Sequence, residues 1–179
     1  MKENISNKQI LNYASIAGAI LGGVSIAYMI VTQQMTKIDS ALVITLLTLV
    51  LWLAKFMGCI YIMRHFMKKL NRNFSEVVNK DTMRLGLYSA LFSALIVAAY
   101  SFANLEFINP DFVKEQMNAV YEVYGSLMDS NTMQVMETFE NKLPTYSFFS
   151  NLIYCFLYGT VLSAILSKNI PSRDPFAEE

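Results

Sequence analysis

The sequence RHFMKKLNRNFSEVVNKDTMR, residues 64–84, lies between two long apolar runs. It contains six lysines and arginines against two acids. Cytoplasmic loops next to membrane spans carry an excess of Lys and Arg. The stretch therefore predicts a cytoplasmic basic loop that joins two membrane-spanning helices, and it orients the rest of the chain.

Four apolar runs are long enough to cross a membrane as helices, which takes about 20 residues. The chain is 54% hydrophobic and 16% charged, whereas soluble domains carry about 25% charged residues. A cleaved signal peptide would have a shorter apolar region of about 7–15 residues, so we interpret the first run as an uncleaved span. We predict an all-α, polytopic membrane protein with a single four-helix membrane domain over residues 1–179. The predicted spans are residues 13–35, 41–63, 85–107 and 146–166.

Lysines and arginines are distributed unevenly between the two sides that four spans imply. Ten lie on the side of both termini and the basic loop, three lie on the other side, and Lys55 lies within the second span. The positive-inside rule then predicts that both termini are cytoplasmic. The segment 108–145 is predicted to be extracytoplasmic.

This outer segment has the pattern of two amphipathic helices. Asn109 can cap a helix that begins at Pro110, where the missing N–H of proline costs nothing. Apolar residues then recur at three- and four-residue spacing, which is typical of a helix with one apolar face. A second, shorter helix is predicted to start after Asn131 and to end at Pro144. The prediction is an extracytoplasmic amphipathic helical hairpin.

Small residues recur at four-residue spacing in three of the spans. Such residues let helix backbones approach closely in a membrane. We interpret them as contact faces inside one bundle; the alternative is that Gly18 and Gly22 face another chain, as in a homo-oligomer. The predicted packing residues are Gly18, Gly22, Gly86, Ala90, Ala94, Gly159 and Ser163.

Lys55 is the one charge well inside a predicted span. A charged side chain there costs free energy unless it is relieved, which makes it a candidate for handling an ion or a lipid head group. The alternative is that Lys55 snorkels towards Arg64, roughly 13 Å along the helix, or makes a structural hydrogen bond. No Asp or Glu lies at matching depth in the other spans.

The basic loop has two interpretations beyond topology. Apolar residues alternate with its cations, a pattern typical of segments that contact anionic lipid. Alternatively, a cytosolic protein docks there. Nucleic-acid binding is disfavoured because the stretch lies against the bilayer. The candidate surface residues are Arg64, Lys68, Lys69 and Arg72.

Motifs for enzymatic chemistry are absent from the sequence, and we predict a non-enzymatic protein with no cofactor. There is no paired-carboxylate or HExxH motif, no P-loop and no GxGxxG. Cys59 and Cys155 stand in apolar runs, outside any CxxC pattern, and His65 has no second ligand in register, so no metal site is predicted.

Several short motifs together resemble one known family. They are the Phe74-Ser75-Glu76 step, Gly86 in the third span, and Asn109-Pro110-Asp111-Phe112 after it. With the Met- and Glu-rich stretch and the final ILSKNIP, they resemble the bacterial domain-of-unknown-function (DUF) family 4199. The resemblance implies a small four-span protein of the bacterial inner membrane. It also suggests a neighbouring family 2 glycosyltransferase that acts on a polyprenyl-phosphate, and it supplies no catalytic residues.

Two functions of different classes remain open from the sequence. The first is a non-enzymatic anchor or accessory subunit, with a glycosyltransferase docked on the basic loop. The second is a small transporter or lipid-handling protein that uses Lys55. A polar cleft at Lys55 favours the second, and a tightly packed bundle favours the first.

Overall fold

The computed structural model describes residues 5–35, 40–74 and 77–170, and every element in these ranges is helical. Lys2, Lys37, Ser75, Glu76 and Arg173, which entered the charge count or the family motifs, lie outside the described residues. The helices are α1 (Asn7–Met35), α2 (Ala41–Asn73), α3 (Asn79–Ala103), α4 (Pro110–Tyr124) and α5 (Ser130–Lys168). A π-helical turn, Asn104–Ile108, follows α3, and a 3₁₀ turn, Gly125–Leu127, follows α4.

Four of these helices are long and apolar enough to cross a membrane: α1, α2, α3 with its π turn, and α5. Their most apolar 18-residue windows have mean hydropathies between 1.6 and 2.2. The predicted fold class, an all-α protein with four membrane spans, is confirmed. The sidedness of the termini and of the segment 108–145 stays a prediction.

The basic stretch differs from the predicted loop because most of it is helical. α2 continues beyond its apolar run to Asn73, where the Phe74 amide donates to the carbonyl oxygen of Leu70 at 3.3 Å. Met67 and Leu70 of this extension share one face with Met63 at the end of the apolar run, and all three are buried. Their burial stabilises helical structure past the point where the hydropathy pattern ends.

α5 also differs from the prediction, because it does not stop at Pro144. One continuous helix runs from Ser130 to Lys168 with Pro144 inside it. Proline in a helix interior removes one backbone hydrogen bond, and α5 continues in spite of that loss. The start after Asn131 is also wrong: the Asp129 carboxylate accepts from the Thr132 amide at 2.8 Å and caps the helix earlier.

The chain divides into two compact units, of which the first contains the described residues before Ala98 and after Ile153. In this unit α1 and α2 are antiparallel: Asn73 Nδ2 donates to Tyr13 Oη at 2.8 Å, and Lys55 contacts Tyr28. The Tyr13 ring also packs edge-on against Phe74, with centroids 6.2 Å apart. These contacts fix the α2 extension against the beginning of α1.

Helix α3 lies against both α1 and α5 in the same unit. Gly18 and Gly22 of α1 lie beside Phe92 and Ile96 of α3, so this pair runs parallel. Gly86 and Ala90 of α3 contact Ser163 and Gly159 of α5, so that pair runs antiparallel. These directions match four successive spans.

The second unit, Ala98–Ile153, contains the π turn and α4. Asn109 occupies the cap position of α4, but its side-chain amide donates to Asn104 Oδ1 at 2.8 Å and does not cap the helix. Val113 and Met117 on α4 are buried, as expected for the apolar face.

Candidate functional site

The small residues predicted for packing lie at close helix contacts within the first unit. A Cβ atom added at Gly18 would be 2.6 Å from Phe92 Cβ and 2.9 Å from the Ser89 carbonyl oxygen. One added at Gly22 would be 2.9 Å from Ile96 Cγ2. The face proposed for another chain is therefore covered by α3 of the same chain.

The faces of α3 and α5 are equally close. A Cβ at Gly86 would lie 2.6 Å from Met67 Cε and would also meet Ser163, and one at Gly159 would meet Ala90 Cβ. Ala90, Ala94 and Ser163 are buried. Ser163 Oγ donates to the Gly159 carbonyl oxygen at 2.6 Å, which leaves no polar group of this residue exposed to lipid.

The first unit also contains a cavity, and Lys55 lines it. Its volume is about 70 Å³, and residues from α1, α2, α3 and α5 surround it. A cavity of this size has room for a few water molecules. Lys55 is the only charged residue among those that line it.

The Lys55 ammonium lies over an aromatic ring inside the bundle. Its Nζ is 4.8 Å from the centroid of the Tyr28 ring. Tyr13, the α1 residue that contacts the end of α2, lies about four turns before Tyr28 on the same helix. The ammonium thus lies about four turns of α1 away from the contact at the end of α2. Lys55 forms no ion pair with any residue that the structure describes.

The cation–π contact relieves much of the cost of this charge. A lysine at the centre of a spanning helix costs about 2.5–3.5 kcal/mol on insertion scales. A cation–π contact away from water returns about 2 kcal/mol or more. A bound anion or water would relieve the cost that is left.

Hydroxyl groups from three helices accompany Lys55 at the cavity. Ser25 comes from α1, Ser93 from α3, and Tyr154 and Tyr158 from α5. The Tyr158 hydroxyl is buried and has no hydrogen-bond partner within the described ranges. Hydroxyls can donate to an anion, and no carboxylate lines the cavity. The lining is suited to a small anionic group.

A connected row of aromatic side chains from α2 and α5 borders the cavity. Trp52 stacks on Phe56 with ring centroids 5.5 Å apart, and Phe56 packs on Tyr158 at 6.0 Å. Tyr154 stacks on Tyr158 at 6.5 Å. Cys59 and Cys155 line the cavity as free thiols.

The sequence singles out Lys55 but not its companions. Tyr28, Ser25 and Ser93 lie in other spans, and only the packing of those spans brings them to Lys55. The sequence does show serines inside otherwise apolar runs. Serines also occur in ordinary helix-packing stripes, so they do not by themselves indicate this cavity.

The cationic face, defined as Arg64, Lys68, Lys69 and Arg72, lies on the helical extension of α2. All four side chains are exposed, while Met67 and Leu70 on the other side are buried. Lys69 Nζ is 5.9 Å from the Tyr13 ring centroid. These cations therefore lie together on a helix that contacts α1.

A family model described as "Protein of unknown function (DUF4199)" matches residues 12–168, which is nearly the whole chain. Neither the curated proteins nor the solved structures contain a match.

Proposed function

This chain belongs to the DUF4199 family of proteins of unknown function, and from the cavity at Lys55 we propose that it is a membrane protein that binds an anionic group inside the bundle. One observation supports this most directly. An ammonium inside a membrane span lines a cavity with four hydroxyl-bearing side chains and no carboxylate. The proposal corresponds to a lipid-handling or transport role.

Native mass spectrometry of the protein, purified from membranes in mild detergent, tests this proposal. We expect wild type to retain an anionic species that Lys55→Met loses. Lys80→Met is the matched control, because Lys80 is an exposed lysine in the same unit and outside the cationic face. If wild type and Lys55→Met have the same bound species, the proposal is wrong.

A second function is supported by the cationic face. Its four exposed cations lie on a rigid extension that hydrogen-bonds to α1 through Asn73 and Tyr13. We propose that this face is cytoplasmic and docks a cytosolic protein. The soluble glycosyltransferase suggested by the family resemblance is the partner we would test first.

Membrane co-sedimentation tests the docking proposal. Neutralising Arg64, Lys68, Lys69 and Arg72 together should release the partner into the soluble fraction. Neutralising Lys114 and Lys142, which lie in the opposite predicted segment, should leave it bound. A partner that still sediments with the four-fold variant contradicts the proposal.

A further inference from the structure

The cavity at Lys55 is bordered by two exposed side chains, and both lie on its lipid-facing side. Among the residues that line it, Trp52 of α2 and Tyr154 of α5 are 44% and 61% exposed, and the others are buried or half-buried. Both residues lie inside apolar spans, where the surroundings are acyl chains. A ligand that passes between them reaches Lys55 from the bilayer.

The surface beside these two residues is suited to an acyl chain. On α2, Leu49 lies one turn before Trp52 and is 53% exposed. On α5, Leu157 lies one turn after Tyr154 and is 57% exposed. A chain leaving the cavity would meet apolar side chains on both helices.

The size and charge of the cavity limit the head group. About 70 Å³ accommodates a few water molecules, or a group of similar size such as a carboxylate. A glycerophosphate group is larger than this space even when its two acyl chains stay in the bilayer. The one ammonium balances one negative charge, and the hydroxyls of Ser25, Ser93 and Tyr158 can donate to its oxygens.

We propose that the anion bound at Lys55 is the carboxylate of a single-chain amphiphile, a long-chain fatty acid, that enters sideways between Trp52 and Tyr154. The carboxylate occupies the cavity, and the chain stays in the bilayer along α2 and α5. This inference rests on the proposed function, because it names the class of anion that the same site binds.

The single tryptophan of the chain makes the inference testable by fluorescence. Bromine quenches tryptophan emission at short range, so a fatty acid brominated along its chain reports occupancy next to Trp52. The purified protein in mild detergent is titrated with this acid, with its methyl ester, and with iodide as a small water-soluble anion. The pH is chosen so that the acid is ionised.

In wild type the acid should quench at a concentration about tenfold lower than the ester, as expected for one charge-assisted contact. In Lys55→Met the acid and the ester should quench alike, while Lys55→Arg and the exposed-lysine control Lys80→Met should keep the difference. The comparison of acid with ester in wild type needs no variant, so it remains decisive if Lys55→Met does not fold.

Two results overturn the inference in different ways. If acid and ester quench wild type equally while iodide quenches in a manner that depends on Lys55, the site takes a small soluble anion, and only the fatty-acid assignment fails. If no quencher depends on Lys55 and native mass spectrometry finds no Lys55-dependent species, the proposed function fails as well.

Discussion

Replacing Gly18 by alanine adds one methyl group where α1 packs closely against Ser89 and Phe92 of α3. Its Cβ would lie 2.6 Å from Phe92 Cβ and 2.9 Å from the Ser89 carbonyl oxygen. Carbon atoms in contact are normally about 3.5–4.0 Å apart. The Ser89 oxygen belongs to the α3 backbone, and Phe92 Cβ is bonded directly to that backbone, so neither atom can move aside alone. The two helices must therefore separate by about 1 Å.

Gly23 on the same helix provides the matched control, because a Cβ added there meets nothing within 4 Å. Both substitutions gain the same helix propensity, about 1 kcal/mol, so their difference isolates the packing cost. Overpacking of a dense contact costs about 1–3 kcal/mol. We expect the free energy of unfolding of Gly18→Ala to be lower than that of Gly23→Ala by this amount.

Reversible unfolding in mixed micelles of increasing sodium dodecyl sulfate content, followed by far-ultraviolet circular dichroism, measures this difference. Equal unfolding free energies for Gly18→Ala and Gly23→Ala would refute the argument. That result would mean that α3 does not lie against Gly18 in the folded protein, and that this face is free for another contact.

Three more predictions concern polar groups. Tyr28→Leu should lower the free energy of unfolding by about 1–2 kcal/mol in wild type but not in a Lys55→Met background. If the effects of the two substitutions simply add in this double-mutant cycle, the cation–π contact is contradicted. Asn151→Leu should cost about 0.6–1.7 kcal/mol by micelle unfolding, because Asn151 Nδ2 donates to Ser101 Oγ at 3.0 Å; an unchanged value would count against this bond. Hydrogen bonds from the Thr132 side chain and backbone hold the pKa of Asp129 below its usual range. The cap should therefore persist at neutral pH and be lost only as the pH falls through that lowered pKa, and a Thr132 amide NMR signal that titrates at an ordinary Asp pKa would exclude it.

The spans could be predicted from the sequence because hydropathy depends on local composition alone. The ends of the helices could not be predicted equally well. α2 extends to Asn73 because Met67 and Leu70 are buried against other helices, and a linear pattern does not contain that information. α5 continues through Pro144 although proline is a strong local stop signal, because tertiary context can outweigh local propensity.

The site was predictable only in its central residue. Lys55 stands out because charges are rare inside spans. Its contact with Tyr28 and its proximity to Ser25, Ser93 and Tyr158 depend on which helices are neighbours and how each is rotated. The four-residue stripes of small residues limit these choices without fixing them, because the same stripe packs equally well on a helix of the same chain or of another.

The cavity and the charge at Lys55 occur in the same place. Elsewhere in the same unit, Gly86 and Gly159 pack closely enough that a methyl group would not fit. At Lys55 the helices leave a volume of about 70 Å³, and they keep a charge within a span, which costs free energy. A protein that packs this well and still keeps both features at Lys55 departs from its own packing pattern there, and such departures concentrate at functional sites. One bound anion would occupy the volume and neutralise the ammonium together.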